Sequence, residues 1–329
     1  MAISSLSRHS RKHTGQWRIL PRRIVVPTLA LAIVCLAGFL LYRTLSNYSL
    51  GEIEAALHSI PLNRIGLMIL FAAASYLCLT GFDWLALRYV RRDIPYPKVA
   101  LASFCSLSLG HNIGFAALSS GAIRYRFYTR WGASAGEVAK IIIFCGMTVG
   151  WGLAVLGGCA ILLRSELAAR ITGLPKGTLI LLGAALLTLA ALYIALSAWR
   201  QKPVQLWKWR IEIPSLRLAL AQIVIGPINF AFVAACLHQA LAAVQDVSYL
   251  EVAAVYVLAN VTSLISHVPG GLGVIEAVVL YLLPGANVIG ALIAFRAVYF
   301  LLPLTIGAPL FAITELMLKH SKMSARGKS

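Results

Sequence analysis

Ionisable and amide side chains inside apolar stretches are the residues of this sequence that could do chemistry. An ionisable group at the centre of a membrane costs roughly 2.5–3.5 kcal/mol on the insertion scale, so each needs a partner or a water-filled cavity. We expect structural roles for three that fall near helix ends, where water and headgroups are within reach. The full set is Asp83, His111, Asn112, Asn229, His238, Asn260, His267, Glu276, Arg296 and Glu315, of which Asp83, His238 and Glu315 lie near helix ends.

Three of these polar residues lie in two helix-breaking segments. Gly110-His111-Asn112 interrupts the apolar run 99–118, and His267-Val268-Pro269-Gly270-Gly271-Leu272-Gly273 interrupts the run 252–283. Breakers at membrane depth are tolerated only where they are buried in protein or line a cavity. Unwound backbone and half-helix N-termini suit an anionic group such as a lipid phosphate. The candidate lipid-path residues here are His111, Asn112, Asn260, His267, Gly270, Gly271 and Gly273. Side chains that merely satisfy freed carbonyls are the alternative.

A run of small and basic residues follows the first breaker and adds further candidates. Small residues let the backbone approach a ligand, and arginine binds phosphate in a bidentate geometry. Arg130 and Lys140 would extend this basic surface. The alternative is an ordinary positively charged loop on the cytoplasmic side. The candidates are Ser119, Ser120, Gly121, Arg124 and Arg126.

Glu276 and Arg296 are charged residues of opposite sign in the last two apolar segments. They form either a buried ion pair that holds this part of the chain together or part of the same lipid path.

The composition identifies the class of protein. Of the 329 residues, 60% are hydrophobic and only 12% are charged, and the mean hydropathy is +0.82. So little charge cannot cover a water-facing surface, which excludes a soluble enzyme. The net charge of +18 lies in short clusters between apolar runs, as expected for membrane topology and anionic headgroups, so we expect no nucleic-acid partner. The six cysteines occur singly, so we expect neither a metal nor a disulfide framework, and no cofactor.

Basic residues between the apolar runs predict the topology. The candidate spans are 24–42, 65–87, 99–118, 139–163, 177–199, 216–241, 252–283 and 288–316. If all of them cross, 17 Lys and Arg lie inside and 11 outside; if 99–118 and 252–283 are re-entrant, 23 lie inside and 5 outside. The positive-inside rule favours the second arrangement, with both termini in the cytoplasm. The fold class is therefore an all-α polytopic membrane protein with about six full spans and two re-entrant helical hairpins.

The two hairpins would then enter from opposite sides, as in an inverted repeat. The predicted organisation is a basic cytoplasmic N-terminus over 1–23, one transmembrane domain over 24–318 with repeats at 65–163 and 216–316, and a basic cytoplasmic tail over 319–329. Tyr96-x-x-Val99-Ala100 recurs as Tyr249-x-x-Val252-Ala253, and Arg124 is matched by Glu276. Inverted repeats with broken helices near the midplane are a transporter architecture.

The breaker motifs resemble a known family. Asn112-Ile113-Gly114 followed by 119–126, together with Pro269-Gly270-Gly271-Leu272-Gly273-Val274-Ile275-Glu276-Ala277, is similar to the transmembrane region of lysylphosphatidylglycerol synthase/flippase proteins (multiple peptide resistance factor) and of related uncharacterised inner-membrane proteins. The resemblance covers roughly residues 20–318. It implies a flippase-like module of the bacterial inner membrane that moves an aminoacylated phosphatidylglycerol and supports antimicrobial peptide resistance. Lipid-path roles are implied for Arg124, Arg126, Glu276 and the glycines of the second breaker.

Three functions stay open at this point. The first is a lipid translocase for an anionic or aminoacylated phospholipid. The second is an intramembrane lipid-phosphate enzyme, although the paired-glutamate motif of such enzymes does not occur here. The third is a non-catalytic partner of a separate lipid-modifying enzyme. Full-length relatives carry a cytosolic aminoacyltransferase domain, which we do not expect in this chain, so the balance is against enzymatic activity. The expected partners are the phospholipid, the membrane, a separate lipid-modifying enzyme and a second copy of the chain.

Overall fold

The computed structural model describes residues 50–113, 116–199, 204–206, 209–266, 268, 271–285 and 288–326. The predicted N-terminal region 1–23 and the span 24–42 lie outside the described residues, as do His267 and Gly270.

The described chain is almost entirely helical, with one short antiparallel pair of strands. Helix α11 runs through a π-helical segment directly into α12. In chain order the elements are α1 (Leu50–His58), α2 (Leu62–Tyr89), α3 (Tyr96–Ile113), α4 (Ala116–Arg130), α5 (Ala135–Leu163), α6 (Ser165–Thr172), α7 (Lys176–Trp199), β1 (Val204–Leu206), β2 (Trp209–Ile211), α8 (Leu216–Leu241), α9 (Tyr249–Ser266), α10 (Val274–Leu282), α11 (Val288–Arg296), the π segment (Ala297–Leu301) and α12 (Leu302–Arg326).

Six helices of the described chain are long and apolar enough to cross a membrane. They are α2, α5, α7, α8, α9 and the continuous helix Val288–Met317. Five of them coincide with spans predicted from hydropathy. For the sixth, α9, the sequence predicts one arm of a re-entrant hairpin, yet its 18 residues meet the same criterion of length and composition.

Helices α3 and α4 form a hairpin between the long helices α2 and α5. They pack against each other along their lengths, and Ser119 Oγ near the start of α4 donates to the Gly110 carbonyl near the end of α3 at 3.3 Å. Just before and just after the hairpin, Arg92 Nε lies 2.8 Å from Glu137 Oε1. The chain therefore enters and leaves this hairpin at the same end of the bundle.

Polar contacts near the helix ends assign the other segments to the two ends of the bundle. At the end that holds Arg92 and Glu137, Lys140 Nζ donates to Glu212 Oε1 at 2.9 Å. At the opposite end, Arg64 Nη1 donates to Gln239 Oε1 at 3.1 Å. Each of these contacts joins segments that the positive-inside count assigns to the same side of the membrane.

Long helices α2 and α8 form the centre of the fold and make its most extensive helix–helix contact. Helix α5 packs on α8 where two glycines face each other. A Cβ on Gly152 would lie 2.7 Å from the backbone carbon of Gly226. Such close backbone approach is how helices associate in a membrane, where packing replaces the hydrophobic driving force.

The last long helix changes its geometry where it faces the centre. Residues Ala297–Leu301 are π-helical, and Pro303 lies two residues after this segment. Proline has no N–H to donate back to the preceding turn, which frees carbonyls just before it. A π-helical turn inside an α-helix is frequent at functional sites.

The amphipathic helix α1 packs on α11. Its Ala56 and the following Ile60 are buried, at 6% and 3% exposure. The described apolar residues of this segment therefore pack against the bundle.

Candidate functional site

The candidate residues that follow the first breaker lie on α4, which packs against α3 and α5. Arg124 Nε donates to Asp83 Oδ1 at 2.7 Å and its Nη2 donates to Asp83 Oδ2 at 3.0 Å. Nη1 of Arg124 donates to Ser120 Oγ at 2.9 Å. The side chains of the pair are 4% and 0% exposed. Arg124 is thus an interior residue of α4, where the sequence suggests an open basic loop.

Arg126 and Arg130 lie further along α4 and share one carboxylate of α12. Arg126 Nε donates to Glu315 Oε1 at 2.7 Å, and Arg126 Nη2 makes a second contact with Oε2. Arg130 donates to the same two oxygens, from Nη1 at 2.7 Å and from Nη2 at 2.8 Å. One buried carboxylate therefore bridges two guanidinium groups.

The second breaker carries its own ion pair. Arg296 binds Glu276 through Nε and Nη2, the latter at 2.8 Å, and also donates from Nη2 to the Gly271 carbonyl at 2.9 Å. Glu276 in turn accepts a hydrogen bond from the Gly273 amide at 2.9 Å. The positive φ of both glycines, 59° and 78°, is a conformation that side chains rarely adopt. The ion pair anticipated from the sequence is present, and it closes the turn before α10.

The Arg124–Asp83 and Arg296–Glu276 ion pairs lie in opposite halves of the bundle, each closer to a different end. With a rise of about 1.5 Å per residue, Arg124 lies about 9 Å from the end of α4, and Arg296 about 12 Å from the start of α11. These two helix ends belong to opposite ends of the bundle, since α11 packs against α1 while the end of α4 meets Glu315. Charged pairs are thus present at two levels of the interior.

A polar cluster connects α2, α8 and the π segment at the centre. Ser75 Oγ donates to Asn229 Oδ1 at 2.7 Å, and it lies 2.9 Å from Tyr299 Oη. Ser75 is fully buried, and the other two are 3% and 4% exposed. Buried polar groups in a membrane interior are retained where they satisfy one another or line a path.

Asn112 and His111 at the end of α3 border this cluster. Asn112 Nδ2 donates to the Ser108 carbonyl at 2.9 Å and to the Phe300 carbonyl of the π segment at 3.4 Å. The His111 ring packs against Tyr76 and Phe300, with ring centroids 6.2 and 6.4 Å apart. Its Nδ1 is buried and has no hydrogen-bond partner in the part of the chain described.

The other sequence candidates lie apart from this centre or serve packing. Asn260 Nδ2 donates to Tyr256 Oη at 3.1 Å. A Cβ on Gly121 would lie 2.9 Å from Ile142 Cδ1, so this glycine lets α4 approach α5. His238 Nε2 lies 3.1 Å from the Val247 carbonyl, in the structural role expected of it.

Four residues of the site are missed or given a structural role by sequence reasoning. It assigns Asp83 and Glu315 to solvated helix ends, whereas each is the buried partner of α4 arginines. It does not single out Ser75 and Tyr299. The sequence contains a signal for Asp83 and Glu315. The arginines of α4 need buried counter-charges, and few acidic residues in the apolar stretches could supply them. For the hydroxyls, nothing in a serine or tyrosine on an apolar helix distinguishes a central position.

Among the residues described, no group of three or more His, Cys, Asp or Glu side chains is placed to hold a metal ion. The cysteines described are free thiols. What the arrangement offers chemically is a set of guanidinium groups, hydroxyls and amides, which suits binding of an anionic headgroup.

Comparison with known proteins gives a consistent result. The family model described as the lysylphosphatidylglycerol synthase TM region matches residues 28–307. The chain is 30% identical to the uncharacterized protein slr0712 of Synechocystis sp. over 289 residues, which cover 87% of this chain and 89% of that protein. It is 28% identical to the inner membrane protein YbhN of Escherichia coli over 282 residues, covering 82% of this chain and 83% of that protein.

Proposed function

Since the chain belongs to the lysylphosphatidylglycerol synthase TM-region family, we propose that it moves an anionic or aminoacylated phospholipid between the two leaflets of the bacterial inner membrane. The observation that carries the proposal is the series of charged and polar groups along the bundle interior. The Arg124–Asp83 pair, the central cluster around Ser75 and the Arg296–Glu276 pair occupy successive depths. A headgroup that crosses a bilayer must exchange its water for such partners.

We further propose that the two hairpins are re-entrant and form an inverted repeat. Corresponding helices make corresponding contacts in the two halves, which supports this arrangement. Each hairpin packs on the long helix before it, α3 on α2 and α9 on α8. The first arm of each also packs on a long helix of the other half, α3 on α12 and α9 on α5. Exchanging the halves leaves this set of contacts unchanged, as expected for a transporter that alternates access around a central site.

Reconstitution tests the function directly. Purified protein in proteoliposomes should accelerate leaflet exchange of lysylphosphatidylglycerol or phosphatidylglycerol over protein-free liposomes, and should do so more than for phosphatidylcholine. Exchange is read from the accessibility of the headgroup to a membrane-impermeant reagent. Folded protein that leaves every lipid at the protein-free rate would exclude a translocase acting alone and favour a partner protein. Lipid hydrolysis products detected by mass spectrometry would favour the enzyme alternative.

A charge-balanced variant links the activity to the interior. Glu276→Gln combined with Arg296→Gln removes both charges of one pair, so no uncompensated charge is buried. We expect this double variant to fold and to lose most of the exchange activity. The matched control is Arg92→Gln, because Arg92 also pairs with one carboxylate but is 41% exposed at the end of the bundle. Equal rates of lipid exchange in the double variant and in the control would show that the Arg296–Glu276 pair is not part of the lipid path.

A further inference from the structure

The ion cluster formed by Arg126, Arg130 and Glu315 differs from the other buried ion pairs in its charge. Arg124 with Asp83 and Arg296 with Glu276 each combine one cation with one anion. In this cluster two guanidinium groups share a single carboxylate. Its formal charge is therefore +1, which sets it apart among the buried ion pairs of the described chain.

The excess charge lies in a largely buried setting. The side chains of Glu315 and Arg126 are 6% and 9% exposed, and that of Arg130 is 20% exposed. Taking a charge out of water is unfavourable unless a counter-charge and hydrogen bonds compensate it. A net cation in this position therefore calls for an additional anion.

Nearby acidic residues do not supply that anion. At this end of the bundle Asp83, Glu137 and Glu212 pair with Arg124, Arg92 and Lys140 respectively. Asp93 lies in the exposed loop before α3 and is not among the ion-pair partners of the cluster. Lys98 Nζ lies 5.9 Å from the ring centre of Trp131, the residue after Arg130, so a further cation is present at this end of the bundle.

We infer that the Arg126–Arg130–Glu315 cluster is a binding site for the phosphate group of an anionic phospholipid headgroup. Guanidinium groups bind phosphate oxygens with two parallel hydrogen bonds, as they do carboxylates. The partial exposure of Arg130 lets a phosphate reach it, and Glu315 occupies the same donors and competes for them. The site lies at the end of the bundle that the charge distribution predicts to be cytoplasmic. We expect this end to lie level with the lipid headgroups of the cytoplasmic leaflet. The inference rests on the proposed function, because it identifies a binding site for the transported lipid or for another anionic phospholipid.

Lipid binding to the purified full chain in non-ionic detergent tests the site without requiring transport. The probes are dioctanoyl phosphatidylglycerol, dioctanoyl phosphatidylcholine and inorganic phosphate, and dissociation constants come from native mass spectrometry with thermal stabilisation as the second readout. We expect phosphatidylglycerol to bind at least tenfold more tightly than phosphatidylcholine. Equal affinities for these two lipids would overturn the inference. Inorganic phosphate that binds as tightly as phosphatidylglycerol would keep the phosphate site but overturn the lipid as its ligand.

Two variants should move the affinity in opposite directions. Arg130→Gln leaves Arg126 and Glu315 as a balanced pair, so the protein should fold, and its affinity for phosphatidylglycerol should fall about tenfold because a charge-assisted pair of hydrogen bonds is lost. Glu315→Gln removes the competing carboxylate and should tighten binding and make the melting temperature depend more strongly on phosphatidylglycerol. Arg92→Gln is the control and should bind as wild type. An unchanged affinity in Arg130→Gln overturns the inference even where Glu315→Gln fails to fold.

Binding and transport can fail separately. Wild-type exchange of lipid with no loss of binding in Arg130→Gln would reject this site and leave the translocase intact. Specific, Arg130-dependent binding with no exchange in proteoliposomes would reject the translocase and leave the site.

Discussion

Arg124 on the first hairpin donates two hydrogen bonds to Asp83 on α2, at 2.7 and 3.0 Å, across 41 positions of sequence. The contact ties the second arm of the hairpin to the central helix pair, and Cys145 of α5 lies 3.7 Å from the same carboxylate. A charged pair in this position holds three helices together.

Breaking this pair from one side should destabilise the protein strongly. Asp83→Asn leaves the Arg124 charge buried without a counter-charge, which costs about 3–5 kcal/mol of unfolding free energy. The measurement is chemical unfolding in detergent micelles followed by tryptophan fluorescence. Arg92→Gln again serves as the control, because its exposed pair should contribute little. A loss for Asp83→Asn no larger than for the control would show that the buried pair does not stabilise the fold.

Glu276 and Arg296 should behave as a coupled pair. Glu276→Gln and Arg296→Gln should each lower the unfolding free energy by about 3–5 kcal/mol, whereas the double variant should lose less than the sum. The coupling energy comes from a double-mutant cycle on melting or chemical unfolding. Strictly additive losses would contradict the pairing seen between α10 and α11.

The contact between α5 and α8 should tolerate no side chain at Gly152. Gly152→Ala puts a Cβ 2.7 Å from the backbone of Gly226, and such overpacking typically costs about 1–3 kcal/mol. Gly146 is the matched control, because it lies on the same helix and an added Cβ there would have nothing within 4 Å. Gly146→Ala should be neutral or slightly stabilising, since alanine restricts the unfolded chain more than glycine. Equal melting temperatures for the two variants would contradict the close packing.

The orientation predicted from charge can be tested with two matched glycines. Gly136 and Gly177 each lie in the first turn of a long helix with nothing within 4 Å of an added Cβ. In a background without the six native cysteines, we expect Gly177→Cys to react with a membrane-impermeant maleimide in intact cells and Gly136→Cys to react only after permeabilisation. If Gly136→Cys reacted in intact cells and Gly177→Cys only after permeabilisation, the orientation would be the opposite of the predicted one. If both reacted in intact cells, the prediction that these two positions lie on opposite sides of the membrane would be wrong.

Local patterns are sufficient to predict much of the fold. Apolar runs of about 20 residues define the long helices α2, α5, α7 and α8, because a bilayer requires that length. Breakers within such runs locate the end of α3 and the start of α10. The sequence Ser248-x-x-Glu251 has the spacing of a capping box, which predicts a helix start, and Glu251 Oε2 accepts from the Ser248 amide at 3.0 Å. A second box at Ser134 and Glu137, with the same spacing, opens α5 and is legible in the sequence as well.

The partners of the charged residues were decided only by the tertiary structure. The sequence by itself determined that this is a multi-pass helical membrane protein with arginines after its first breaker and a pair of opposite charges after its last. It could not determine that Asp83, 41 positions earlier, receives Arg124, or that Glu315, 185 positions after Arg130, bridges Arg126 and Arg130. Charge type and position along a helix are local properties, whereas a pairing depends on which helices are adjacent and on their rotation about their axes, and these are set by close packing of the whole bundle.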